Sequence, residues 1–132
     1  EGVPNSTGAD GEDGYILLTG TGCTSSTAST TIISNAFASG SVPTSSRIVV
    51  FEENVGTPTL NTDIIASVSR DGGSNFTTAT LSDSGYVTGS SGQRILTGTA
   101  TISGQPSGQS MRWKLALANN QVKIHGVALQ WS

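Results

Sequence analysis

The side chains able to do acid–base or ligand chemistry are few and scattered along this chain. His125 is the single histidine. It falls in an alternating run from Val122 to Trp131, where period-two spacing puts it on one face with Lys123, Val127, Leu129 and Trp131. A general base there would need a nucleophile and an orienting group, and the sequence places neither beside it, so packing in a core or interface is the better reading. Glu52 and Glu53 are neighbours, so on a strand they point to opposite faces and cannot act together as acid and base. Asp10, Glu12 and Asp13 gather three carboxylates but lack the alternating ligands and distal glutamate of a calcium loop, which leaves a solvated acidic turn. Cys23 is the only cysteine, which excludes an internal disulfide and a multi-cysteine metal site. It has no nearby His, Lys or Arg to lower its pKa and reads as a small buried hydrophobe. No catalytic, metal or cofactor site is expected, and the chain is read as non-enzymatic.

The sharpest local motif is Ser69-Arg70-Asp71-Gly72-Gly73-Ser74-Asn75-Phe76. It resembles the Asp-box pattern S-x-D-x-G-x-x-W/F of sialidase propellers and other β-proteins, where it is a folding device. An aspartate can accept backbone N–H groups across a tight turn, glycine supplies the unusual dihedral, and the aromatic tucks beneath. Ser69, Asp71, Gly73 and Phe76 are therefore expected to be turn residues. A propeller repeats the motif in every blade, and one copy in a chain of this length excludes a sialidase.

The elements around this motif are all strands. Apolar residues do not recur at helical spacing over three turns anywhere, and the short apolar runs are rich in Val and Ile and bounded by Gly, Ser, Asn or Pro. Strands are expected at Tyr15–Thr19, Thr31–Ser34, Ser46–Glu52, Asp63–Arg70, Phe76–Leu81, Arg94–Ile102, Met111–Leu117 and Val122–Trp131. The strand from Ser46 to Glu52 looks central, with apolar residues on both faces at Ile48-Val49-Val50-Phe51. The last two strands flank the polar turn from Ala118 to Gln121 and read as a terminal hairpin. Residues 1–14 read as an extended arm or linker, and 15–132 as a single β domain. The fold class expected is all-β: an antiparallel β-sandwich, jelly-roll-like, with seven to eight strands.

Composition limits what such a module can do. Ser, Thr and Gly make up roughly two fifths of the chain while charged residues are only 11%, a mixture suited to exposed strand faces and turns. A net charge of −3 with six scattered Lys and Arg gives no basic stripe, so nucleic-acid binding is not expected. No run of 18 apolar residues suggests membrane insertion. Trp113, Trp131, Tyr15 and Tyr86 are candidate aromatic platforms for sugars. Trp113 shares a face with Met111, Leu115 and Leu117 and reads as core. Tyr86, in an expected loop from Asp83 to Gly92, is the better surface or glycan contact, and Trp131, next to the last residue, is a candidate for packing between chains.

The region from Ile64 to Ser132, with "SVSRDGGSNFTTATLSDSGYVTG", "SGQPSGQSMRWKL" and "VKIHGVALQWS", resembles the C-terminal β-modules of tail-fibre and other virion surface proteins of bacteriophages, particularly marine ones. The resemblance covers about half the chain and leaves a module boundary near Asn61 open. It implies a structural protein on the virion surface, facing the extracellular side as a fibre, spike or capsid-decoration module with host-surface attachment. It also implies a homo-oligomer, often a trimer, with other virion proteins and a host-surface glycan as partners. The competing reading is a non-catalytic carbohydrate-binding module of a secreted cellular protein. A glycosidase would need two carboxylates converging in a cleft, which sequence does not reveal.

Overall fold

The structure is a computed structural model that describes residues 29–90 and 92–132. The expected arm over 1–14, the strand Tyr15–Thr19, the acidic turn and Cys23 lie outside the described residues. Eight strands follow one another: β1 (Ser29–Ile33), β2 (Phe37–Ala38), β3 (Ser45–Asn54), β4 (Ile64–Ser69), β5 (Thr77–Tyr86), β6 (Gln93–Thr101), β7 (Ser110–Ala118) and β8 (Val122–Trp131). Every strand pairing is antiparallel. The hydrogen-bonded order is β1-β7-β4-β5-β6-β3-β8, with β2 also on β7.

The all-β antiparallel class matches the sequence pattern; seven of the expected strands are present among the described residues, and the short β2 at Phe37–Ala38 is not among those expected. Hydrogen bonding runs through all eight strands as one curled sheet, a half-barrel, where the pattern had suggested two layers. Curling is forced by the link between β7 and β8. Five strand spacings separate them, about 24 Å in a flat sheet, whereas the step from Ala118 to Val122 spans at most about 14 Å. The ends of the sheet must bend towards each other, and Phe37 on β2 meets Trp131 on β8 with ring centroids 6.4 Å apart.

Inside the curl, alternate residues of each strand make one core. Ile48 and Val50 of β3, Ile64, Ala66 and Val68 of β4, Leu96 of β6, and Met111 and Leu115 of β7 are fully buried. Trp113 packs against this core on the face it shares with Met111, Leu115 and Leu117, as its spacing indicates. β3 lies between β6 and β8, so the half of the chain before Asn61 is interleaved with the half after it. Where β6 crosses β5, a Cβ on Gly98 would lie 2.8 Å from the Thr80 carbonyl oxygen, so the close approach of the two backbones requires glycine.

Two sequence expectations are corrected. β7 and β8 are not a hairpin: a strand has two hydrogen-bonding edges, and β7 gives one to β4 and the other to β1 and β2, so β8 pairs with β3 instead. Asn119 and Asn120 still reverse the chain, with φ of 61° and 54°. The turn is tied to the loop before β4, since Val55 N donates to Gln121 O at 2.7 Å and Asn119 Nδ2 to Asp63 Oδ1 at 2.6 Å. Second, His125 does not share a face with Val127, Leu129 and Trp131. The β3–β8 register shifts between Phe51 and Glu52, which face Gly126 and Ile124, and His125 is the extra residue of this bulge. Val127, Leu129 and Trp131 pack towards the core, whereas His125 Nε2 lies 2.9 Å from Glu53 Oε1 on the outer side.

Candidate functional site

The Asp-box residues form a closed turn at the β4–β5 connection. Ser69 Oγ donates to Asp71 Oδ1 at 2.7 Å and accepts from Gly73 N at 2.9 Å. Asp71 Oδ1 also accepts from Asn75 N at 2.9 Å, and Oδ2 from Asn75 Nδ2 at 2.6 Å. Gly73 has φ of 98°, and a side chain there would crowd Arg112 and Phe76. Phe76 lies under Lys114, whose Nζ is 4.3 Å from the ring centroid. Hydrogen bonds from Asn75 are the main reason the Asp71 carboxyl is held down at about 2. Each oxygen of Asp71 is thus engaged by the turn, which suits a folding role and not proton transfer. We expect Asp71→Ala to cost on the order of 1–2 kcal/mol, after allowance for solvent screening of a half-exposed carboxylate, as measured by urea denaturation. Because the carboxyl titrates lower in the folded chain than its ordinary 3.8, the wild-type advantage is present above that pH and is lost as pH falls towards 2.

Next to Asp71, Arg70 has a structural role that its place in the motif does not signal. Its side chain is buried and donates to the backbone carbonyls of Pro43 at 2.6 Å, Ser103 at 2.9 Å, Pro106 at 3.1 Å and also Gln105. Gln105 reciprocates: its Oε1 accepts from Arg70 N, and its Nε2 donates to Val68 O, all at 2.8 Å. Three connections are stitched together here, and no polar group is left over for a ligand.

Glu52 and Glu53 face opposite sides of β3, as adjacent strand residues must. Glu52 is fully buried and pairs with Arg94 Nε at 2.6 Å, while Arg94 Nη1 reaches Asp83 Oδ2 at 2.9 Å. Burial raises the Glu52 pKa, against the lowering effect of Arg94. On the outer side, Glu53 lies between His125 and Lys123, 3.8 Å from Lys123 Nζ. Tyr86 is 64% exposed beside this network, paired in register with Arg94 at the end of β5. It stands on a strand, because β5 continues five residues beyond the sequence reading and breaks register between Asp83 and Tyr86. Glycine at 85, with φ of 100°, permits that irregularity.

The remaining candidate surface is the outer face of β5, β6, β3 and β8. Inward residues alternate with Thr80, Ser82, Thr97, Thr99 and Arg47 pointing out. Two shallow depressions meet at Arg47, the first reaching round the end of the sheet to Ser46 and Trp131, which lie on the inner side. One, of about 300 Å³, is lined by Ser45, Ser46, Arg47, Thr99, Gln130, Trp131 and Ser132; the other, of about 160 Å³, by Arg47, Thr80, Ser82, Thr97, Gly98 and Thr99. Composition indicates the abundance of hydroxyls but not their convergence on Arg47, which depends on the β3–β6 register that sets Arg47 opposite Thr99. Among the described residues, no three His, Cys, Asp or Glu side chains gather as a metal site, and no helix is long and apolar enough to cross a membrane.

These features define a small antiparallel β-module whose accessible chemistry is a hydroxyl-rich sheet face and exposed aromatic and apolar edges. No protein-family model, curated protein or solved structure matches the chain.

Proposed function

We propose that the chain is a non-enzymatic assembly and attachment module, of the fibre, spike or decoration kind found on virion surfaces, and that it works as a homo-oligomer. The virion part of this reading rests on the resemblance of residues 64–132. The observation that carries the assembly part is the edge formed by β1, β2 and the connection to β3, which is open among the described residues. Ile33, Phe37 and Val42 there are 49%, 41% and 41% exposed, along a strand edge with which no further strand among the described residues pairs. Apolar, pairing-competent edges of this kind are covered in stable proteins, and a symmetric assembly covers them with copies of themselves. Trp131 joins the patch through its contact with Phe37.

The mass of the purified chain by light scattering tests this directly. A value near three times 13.4 kDa is expected for a trimer. Ile33→Asp, a change on the exposed edge, should return it to one chain without loss of the folded spectrum. A wild-type chain that stays monomeric at millimolar concentration overturns the assembly reading. The second reading, a carbohydrate-binding module, is favoured by the two depressions around Arg47, because a hydroxyl-lined trough joined to a more apolar one that holds an aromatic suits the polar edges and apolar faces of sugars. In a virion protein the same surface would serve attachment to a host glycan.

A further inference from the structure

Six Lys and Arg and five side-chain carboxylates lie among the described residues, and matching each to its partner isolates one charge. Asp71 is held by its turn, Asp63 accepts from Thr59 N and Asn119, Glu52 and Asp83 share Arg94, and Glu53 lies beside His125 and Lys123. Among the cations, Arg70 is enclosed by carbonyls, Arg112 donates to Ser34 O, and Lys114 sits over Phe76. Arg47 is the one whose side chain makes no hydrogen bond, ion pair or ring contact with the described residues. It stands exposed on the outer face, at the junction of the two depressions.

We propose that Arg47 anchors a binding site for a carboxylate-bearing sugar. This rests on the attachment reading and names its ligand class. A guanidinium presents a planar fork of donors that fits a carboxylate with two parallel hydrogen bonds. The walls around it carry the hydroxyls of Ser45, Thr80 and Thr99, which both donate and accept and so match ring hydroxyls in either role, beside Gln130, the Trp131 ring, and Ser82 and Thr97, whose hydroxyls already bond within the sheet. Charge selects the acidic sugar over the alternatives. One cation on a chain of net charge −3 balances a single carboxylate, whereas a phosphate dianion would keep an uncompensated charge and a nucleic acid needs a row of cations. A neutral sugar would leave the guanidinium unused.

The test is an NMR titration of the full chain with 3′-sialyllactose and digalacturonate, alongside lactose and sodium acetate. The acidic sugars should shift the amides of Arg47, Thr97, Thr99 and Gln130, with lactose and acetate at least tenfold weaker. Arg47→Ala should weaken binding about tenfold or more, the worth of one charge-assisted fork, and Arg47→Lys should recover only part of it. Arg47 is exposed and its side chain has no partner among the described residues, so both variants should keep the wild-type fold. The site is overturned if neither acidic sugar shifts those amides, if acetate matches them, or if Arg47→Ala binds as well as wild type. Lactose binding elsewhere, with no effect of Arg47, also overturns it while leaving the attachment reading standing, and a trimeric mass without any sugar binding leaves the assembly reading standing.

Discussion

Arg70→Ala is expected to be among the most damaging single substitutions in this chain, lowering stability by about 3–5 kcal/mol. Four backbone carbonyls, on Pro43, Ser103, Gln105 and Pro106, take their hydrogen bonds from one buried guanidinium. An alanine would strip them of donors and leave a void under three connections at once. Buried carbonyls without partners cost about 1–3 kcal/mol each, and partial entry of water is what keeps the total below their sum. At the slope usual for a domain of this size the melting temperature should fall by about 10–15 °C. Arg70→Lys separates charge from geometry: it keeps the cation, but one ammonium cannot reach carbonyls arrayed around a planar fork, so it should recover less than half the loss. A wild-type melting temperature for Arg70→Ala would show that the clamp is incidental. Gln105 is coupled to the same unit through Arg70 N, so the double variant with Gln105→Ala should cost less than the two single losses added together.

That clamp also shows where sequence reasoning stops. In the motif from Ser69 to Phe76, the reading located Asp71, Gly73 and Phe76 because their roles are local: a carboxylate reaching Asn75 four residues on, a left-handed dihedral, a ring beneath the turn. Arg70 occupies a variable position of the same pattern, and its partners lie 27 to 36 residues away. Strand positions were legible for the same reason as the turn. The strand at Ser46–Glu52 was legible, but with apolar residues on both faces its inward side was not; the structure buries Ile48 and Val50 completely.

Pairing partners were not legible. Periodicity says that β7 and β8 each bury a face but not which strand lies beside each, so two alternating runs around an Asn-Asn turn looked like a hairpin. The competing fact is that β7 was already flanked on both edges. The bulge at His125 escaped too, because a single extra residue leaves composition untouched while moving every later side chain to the other face. Arg47 was equally hidden: a solitary arginine is unremarkable until the partners of the other five cations are known.

The second large effect is expected at the buried pair of Glu52 and Arg94, and its sign depends on which partner is removed. Arg94→Ala leaves Glu52 in the core with no cation, and at pH 7 this should cost about 3 kcal/mol. Protonation relieves the penalty, because a neutral carboxyl is far cheaper to bury. The Arg94→Ala loss should therefore shrink steadily as pH is lowered through the carboxylate range. Glu52→Gln should behave differently. Burial is the largest influence on Glu52 and raises its pKa above the ordinary 4.5, even with Arg94 at 2.6 Å. A carboxyl whose folded pKa is raised contributes stability that is complete below its unfolded pKa and is lost as pH rises through the folded one. Relative to wild type, Glu52→Gln should thus become more favourable between pH 4.5 and neutrality. Arg94 would keep Asp83 as its partner at 2.9 Å. Imperfect pairing supports this sign, since Glu52 Oε2 and Arg94 Nη2 are both buried without a hydrogen-bond partner, so the bridge recovers only part of the cost of desolvating its ions. The combined variant Glu52→Gln/Arg94→Ala should then be more stable at pH 7 than Arg94→Ala alone. Urea denaturation of the four proteins at pH 4 and pH 7 would test both claims. If the Arg94→Ala penalty is the same at both pH values, Glu52 is not the group left stranded, and if Glu52→Gln loses stability as pH rises, the bridge outweighs the burial.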